Sequence, residues 1–264
     1  MKSLLQQPGL FSRTILWLVF LFLLGPFVIV FLAGFSAGET LAFPPTAYSL
    51  RWILEVVAAE EFQQAFLTSL QIGLLATVIA LLLGVPVAYA MSRMPPPGMG
   101  AIKQILTSPL IIPAMLVGLG LLRHFVLLVD APVFLGLLIG HIGLLTPYAV
   151  RVVYASLINL RVDIEEAAIT LGASRAQTFR LIVLPNIRSA VIAAFFLAFV
   201  TSFNQVPVSL FLTGPGISTL PIEMLGHMEN SFDPSIAALS TLLVLFTMAF
   251  VLVTEKVLGI SKYM

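Results

Sequence analysis

The feature that most constrains this chain is a recurrence: long, nearly uncharged apolar runs follow one another from the N-terminal region to the C-terminal one, and the charges gather between them. A run of roughly 20 apolar residues, coiled as a helix, matches the hydrocarbon thickness of a bilayer. Composition agrees, with 59% hydrophobic and 9% charged residues in 264 and a mean hydropathy of +1.09. That leaves too little polar surface to coat a water-facing fold. The chain is therefore read as an all-helical integral membrane domain over residues 1–264, with six spans at about 14–35, 66–91, 101–128, 132–158, 187–213 and 235–258. The first run follows Lys2 and Arg13, is longer than the roughly 7–15 residues of a signal-peptide core, and has no A-x-A site after it. It is read as a retained helix.

Between the runs, residues 37–61 are more polar and carry Glu39, Arg51, Glu55, Glu60 and Glu61, and Pro95-Pro96-Pro97-Gly98 marks a tight turn. Six spans put both termini on one side. Assigning alternate loops places Lys2, Arg13, Arg93, Lys103, Arg151, Arg161, Arg175, Arg180, Arg188, Lys256 and Lys262 on that side, and only Arg51 and Arg123 on the other. An excess of basic residues marks the cytoplasmic face, so both termini are expected there. The opposite loops carry Asp130, Glu223, Glu229 and Asp233. A net charge of +1 gives no reason to expect nucleic acid. With no cysteine and three scattered histidines, disulfide scaffolds and metal enzymes are poor fits.

The segment 161–185 is charged and patterned. Asp163 and Glu166 have capping-box spacing, which predicts a helix start; Ile164, Ala167, Ala168 and Leu171 then fall on one small apolar face. Gly172 stands where a helix would end in a left-handed residue. Ser174 and Gln177 form a second capping-box pattern, opening another helix expected to stop at Pro185. A narrow face built on alanines suits a protein groove, with an amphipathic helix lying on the membrane surface as the alternative.

The run Glu166-Ala167-Ala168, then Gly172, then Ile182-x-Leu184-Pro185 resembles the EAA–G–I-x-LP motif of binding-protein-dependent ABC importer permeases, with every position present at the family's spacing. Gly84-Val-Pro86-Val-Ala88-Tyr89 through Arg93 is similar to the end of that family's second core helix. Ser108-Pro-Leu-Ile-Ile-Pro113 through Gly118-Leu-Gly120 is similar to its third. The resemblance implies a type I permease fold, a coupling helix formed by the first short helix of segment 161–185, and ATPase docking through Glu165, Glu166, Ala167, Ala168, Gly172, Ile182, Leu184 and Pro185. The sequence contains no G-x-x-x-x-G-K-[ST] phosphate loop, so ATP and magnesium are expected on separate ATPase subunits and no cofactor on this chain. The expected partners are a second permease, as a heterodimer, two ATPase subunits, and an extracytoplasmic solute-binding protein at a bacterial inner membrane.

The fifth run holds Thr201-Ser202-Phe203-Asn204-Gln205-Val206-Pro207-Val208-Ser209. Pro207 lacks an amide donor and clashes one turn back, so a kink or unwinding is expected there. Asn204 lies about 25 Å along the helix from Ile187. Polar groups and freed backbone at such depth are tolerated where they face a cavity or another protein surface. Ser202, Asn204, Gln205, Pro207 and Ser209 are accordingly candidate path residues, with interhelical hydrogen bonding as the competing role. His141, Thr146 and Tyr148 of the fourth span are read as structural, with facing the cavity as the alternative for each.

From Phe199 onward, Ser202-Phe203-Asn204, Ser209 through Gly216, Thr219-Leu-Pro221 and Pro234 through Thr241 resemble the second permease of spermidine/putrescine-type importers. That group usually carries an acidic residue where this chain has Asn204. The resemblance implies polyamine transport; an amino acid, opine or aminophosphonate is the alternative, since two amides offer neutral hydrogen bonding rather than charge. It also implies that the loop 214–234 meets the binding protein, through Glu223, Glu229 and Asp233, unless these are simply solvated. An ion-coupled secondary transporter would need charges within its spans, and here they sit at the ends. No nucleophile–base pair or H-E-x-x-H pattern supports an intramembrane enzyme.

Overall fold

The computed structural model describes residues 9–95, 97–107, 112–231 and 233–258, and all regular structure among them is helical. Lys2, Pro96, Lys262 and the Ser108-to-Ile111 part of the third-span motif lie outside the described residues. The helices are α1 (Leu10–Gly34), α2 (Arg51–Ala58), α3 (Glu60–Arg93), α4 (Met99–Thr107), α5 (Ala114–Leu121), α6 (Val133–Leu157), α7 (Asp163–Thr170), α8 (Arg175–Thr178), α9 (Leu184–Asn186), α10 (Arg188–Phe203), α11 (Ser209–Leu212), α12 (Leu220–Asn230) and α13 (Ser235–Leu258). Wider π-helical turns continue α5 over Leu122–Leu128 and join α8 to α9 over Phe179–Val183.

Among the described residues, four helices are long and apolar enough to cross a bilayer: α1, α3, α6 and α13. A fifth crossing exists if Arg175–Asn186 and Arg188–Phe203, which meet at 70°, count as one broken span. The expected third span, 101–128, is interrupted: α4 ends at Thr107 and α5 begins after Pro113, whose ring supplies no amide to continue a helix. The second run starts six residues earlier than expected, because Glu60 and Glu61 occupy the first turn, where the helix dipole favours acids.

By contacts the chain forms two compact units. The first comprises the residues up to Phe62 with Met224–Met248. In it α1 buries only Ala33 and Gly34; up to Phe31 its leucines and phenylalanines are uncovered, as lipid would allow. Gly34 is required where α1 meets α13, since a Cβ there would stand 2.5 Å from Thr241 Oγ1 and 2.8 Å from the Ala237 carbonyl. The stretch before α2 is tied down by Trp52, which is buried and donates Nε1–H to the Gly38 carbonyl at 2.8 Å.

The second unit comprises Gln63–Glu223 with the residues from Ala249. Its core forms where α3, α6 and α10 share small residues. Ala76, Ala80, Leu145 and Ala198 pack in the middle, and Gly84 brings α3 so close to α6 that a Cβ would lie 2.8 Å from that of Ala149. Toward α7, Val85, Ala88, Val153 and Leu157 continue the core and take in Val183 and Ile187. At the far end Ile72 and Leu137 pack on Val208 and Leu212.

The segment 161–185 departs from expectation in two ways. Asp163 does not cap α7: Val162 is the N-cap and makes no side-chain bond, because the Asp163 carboxylate is paired with Arg161 instead. Nor does the second short helix run unbroken to Pro185, for π-helical turns intervene and Pro185 opens the last turn rather than ending the element. Gly172 has φ +93°, the left-handed conformation anticipated for it, and Ser174 with Gln177 forms the reciprocal capping box. The loop 214–234 is also more ordered than expected, since α12 occupies eleven of its residues.

Candidate functional site

Three polar assemblies stand out against this apolar framework. The first lies at the break in the fifth run. Helix α10 ends at Phe203, residues 204–208 are not helical, and α11 resumes at Ser209. The chain is held there by α6: His141, itself buried, has Nδ1 2.7 Å from Ser202 Oγ and Nε2 3.0 Å from Ser209 Oγ. A neutral imidazole satisfies both hydroxyls, one ring N–H donating and the other nitrogen accepting. One side chain therefore bridges both sides of the break. Gly118 of α5 lets this backbone approach, because a Cβ on it would come 2.9 Å from Phe211 and 3.0 Å from the Pro207 carbonyl. Gly140, beside His141, does the same against Leu212 and Val208.

The structure thus separates the five candidate path residues. Ser202 and Ser209 are buried and spend their hydroxyls on His141. Asn204 is exposed, its amide nitrogen donating back to the Val200 carbonyl at 3.0 Å. Gln205 is 8% exposed, and its backbone amide donates to the Ser202 carbonyl at 3.1 Å. Pro207 is half-buried within the break. Thr146 bonds the Ile142 carbonyl of its own helix, and Tyr148 is half-buried.

The second assembly joins α7 to the end of α3. Glu165 is the one buried residue of α7. Its Oε1 accepts from Arg93 Nε at 2.7 Å and its Oε2 from the Tyr89 hydroxyl at 2.9 Å, while Arg93 Nη2 donates to the Leu160 carbonyl at 3.0 Å. The side chains of Arg93 and Glu165 are 10% and 7% exposed. A buried pair of this kind contributes little net stability, but removing one partner strands a charge and costs about 3–5 kcal/mol. Glu165, expected among the ATPase-docking residues, is therefore turned inward and has no free oxygen to offer a partner chain. What α7 presents outward is the other face: Ile164, Glu166 and Ala167 are exposed, Ala168 is half-buried, and Leu171 is 88% exposed. Gly172 is exposed beside it, whereas Ile182 and Leu184 are half-buried and Leu184 packs on the core, with Pro185 exposed.

The third assembly involves α12. Asp233, expected to meet the binding protein, is occupied within its own loop: it accepts from the Ser235 amide at 2.9 Å and from the Ser235 hydroxyl, and its carboxylate lies 3.7 Å from His227 Nε2. His227 also bonds Ser235 Oγ at 2.8 Å and meets the Phe62 ring edge-on. Glu229 is exposed and Glu223 half-buried.

Sequence reasoning did not bring together Tyr89, Arg93 and Glu165, or His141 with two serines. One signal was available for each. Tyr89 and Arg93 are four apart and so share a helix face, and Ser202 and Ser209 are seven apart, two turns, opposite the lone histidine of an apolar run. Among the described residues no group of acids and histidines is arranged to hold a metal ion.

Residues 84–260, from the end of α3 to beyond α13, match the family model described as "Binding-protein-dependent transport system inner membrane component". The chain is 33% identical to the putrescine transport system permease protein PotI of Escherichia coli K12, over 87% of this chain and 84% of that protein. It is 28% identical to the spermidine/putrescine transport system permease protein PotC of the same organism, over 90% of each. In fold it resembles, with a TM-score of 0.71 and 18% identity over 97% of this chain and 95% of the other, a chain of a bacterial ABC transporter involved in the import of the acidic polysaccharide alginate. The apolar spans, the α7 segment and the match over two thirds of its length agree: this multi-pass membrane chain belongs to the family of inner-membrane components of binding-protein-dependent transport systems, as a non-catalytic permease subunit of an ABC importer.

Proposed function

We propose that this permease forms half of a polyamine translocation path in a bacterial inner membrane, crossing it six times with both termini cytoplasmic. The observation that carries the cargo is the similarity to PotI and PotC, named for putrescine and spermidine, along nearly the whole chain. A second permease subunit completes the path, two ATPase subunits hold the ATP and magnesium, and a solute-binding protein delivers from outside. The exposed face of α7 fits the docking role, offering Glu166, Ala167 and Leu171 while Glu165 is engaged within the chain. On the outer side Glu229 and Glu223 are the candidates for the binding protein, and Asp233 acts by holding its loop.

The solute passes the break at 204–208, where Gln205 is buried and Asn204 is exposed. Neutral amides bind ammonium groups by accepting hydrogen bonds but lack the long-range attraction of carboxylates. That single difference favours a second reading, in which the same importer carries an amino acid, opine or aminophosphonate. The deciding experiment is ATP hydrolysis by the reconstituted complex with its cognate binding protein across these solutes. Stimulation by putrescine or spermidine alone is the expected result; stimulation by a zwitterion or an aminophosphonate instead makes Asn204 and Gln205 the specificity residues and overturns the polyamine assignment.

A further inference from the structure

The junction of Tyr89, Arg93 and Glu165 does more than hold α7 in place. Tyr89 and Arg93 stand one helical turn apart on the last turns of α3, and both reach the one carboxylate that α7 buries. Arg93 simultaneously binds the Leu160 carbonyl, between α6 and α7, so the end of α6 is drawn into the same knot. Tyr89 packs its ring against Phe179, centroids 5.0 Å apart, and Phe179 stands in the π-helical turns leading to Val183 of the core. Every strong bond at this point is directional, and both oxygens of Glu165 are used. A push on α7 therefore meets no soft apolar slip plane at Glu165; it meets a directional ionic contact in which both carboxylate oxygens are engaged. The docking face and the linking residue lie on different faces of the same eight-residue helix, Glu166 exposed and Glu165 buried.

Resting on the permease reading above, we propose that Tyr89–Arg93–Glu165 is the strut that transmits displacement of α7 by the ATPase into the span α3. It is a positioning element: it touches neither solute nor nucleotide. Weakening it leaves the ATPase docked and hydrolysing while the span no longer follows.

The chain has no cysteine, so one introduced at the exposed Gln71 of α3 carries a bimane fluorophore as the sole reporter on this subunit. The assembled complex in proteoliposomes is taken through ATP binding and vanadate trapping. The expected result for Y89F and R93K is full co-purification of the ATPase with the nucleotide-driven fluorescence change reduced about two- to tenfold. R93E is expected to abolish the change, and R93E/E165R to recover more of it than either single reversal. A wild-type fluorescence response in Y89F and R93K overturns the strut, as does loss of the ATPase from those complexes, which would make these residues part of the docking itself. A parent complex that neither retains an ATPase nor responds to nucleotide overturns the permease docking reading on which the strut rests, an outcome separate from the other two.

Discussion

Two regions of this molecule solve the same problem with different chemistry. At the end of α3 a charged pair, Arg93 and Glu165, fixes the short helix α7; at the break of the fifth run a neutral histidine, His141, fixes the short helix α11 to α10. Both put polar atoms where neighbours are apolar, and in each the carboxylate or the imidazole has both of its polar atoms engaged. The difference is where each lies along a helix. Arg93 is the final residue of α3, next to loops and water, so the desolvation of a charge is partial there. His141 lies in the first half of α6 with leucines on either side, where a fixed charge would be far more costly and a neutral donor–acceptor suffices. An ion pair anchors the end of α3 to α7, and neutral hydrogen bonds from α6 hold the break between α10 and α11.

That comparison orders the consequences of breaking each one. Arg93→Ala leaves Glu165 buried with a single neutral donor, and the loss should be the largest, about 3–5 kcal/mol. Thermal unfolding of the purified complex in detergent measures it; a loss comparable to that of an exposed substitution would show that water reaches the pair and that its burial is not what matters.

How much of this was legible beforehand depended on range. Local patterns were readable: the Gly172 left-handed turn, the Ser174–Gln177 capping box and the break around Pro207 each follow from a few adjacent residues, and the structure has all three. The motif around Glu166 also identified the family. What could not be read were pairings 61 to 76 residues apart in the chain, such as His141 with Ser202 and Tyr89 with Glu165. Helical periodicity assigns a residue to a face but not to the helix it will meet. Glu165 shows why: a carboxylate next to Glu166 in sequence points some 100° away on a helix, and here that direction leads to Arg93. The partners of Asp233 were hidden in the same way, because a loop acid looks solvated until its own serine and histidine are seen around it. Helix α12 was missed since Pro215, Gly216, Pro221 and Gly226 read as turn residues, although a proline in the first turn of a helix is harmless.

The histidine should be easier to lose than the arginine. In His141→Phe the ring volume is kept while both hydroxyl contacts go, yet Ser202 and Ser209 can fall back on carbonyls of their own helices. The expected cost is about 1–2 kcal/mol. Function should suffer more than stability, since the imidazole bridge between Ser202 and Ser209 is then gone: transport by the reconstituted complex should fall severalfold while its thermal midpoint moves modestly. A midpoint shift as large as that of Arg93→Ala would mean that neutral and ionic clamps are equivalent here, and the comparison would lose its basis.

The smallest effect should come from the neighbour of the strut. Asp163 is two residues from Glu165 on the same helix and also pairs with an arginine, Arg161, but the two side chains are 55% and 79% exposed. Hydrogen bonding from Arg161 holds the Asp163 carboxyl below the ordinary carboxylate range. A depressed value means that whatever the pair contributes is present at neutral pH and lost only as the pH falls through that lowered value. Water and salt screen the pair at every pH in use, so Asp163→Asn should match the parent complex in thermal midpoint and in transport across about pH 6–8. Two acid–arginine pairs within three residues of one helix then give opposite results, and only burial separates them. If Asp163→Asn instead proved as damaging as Arg93→Ala, the controlling variable would be the charge of α7 as a whole, and the inward-facing strut would have no special claim.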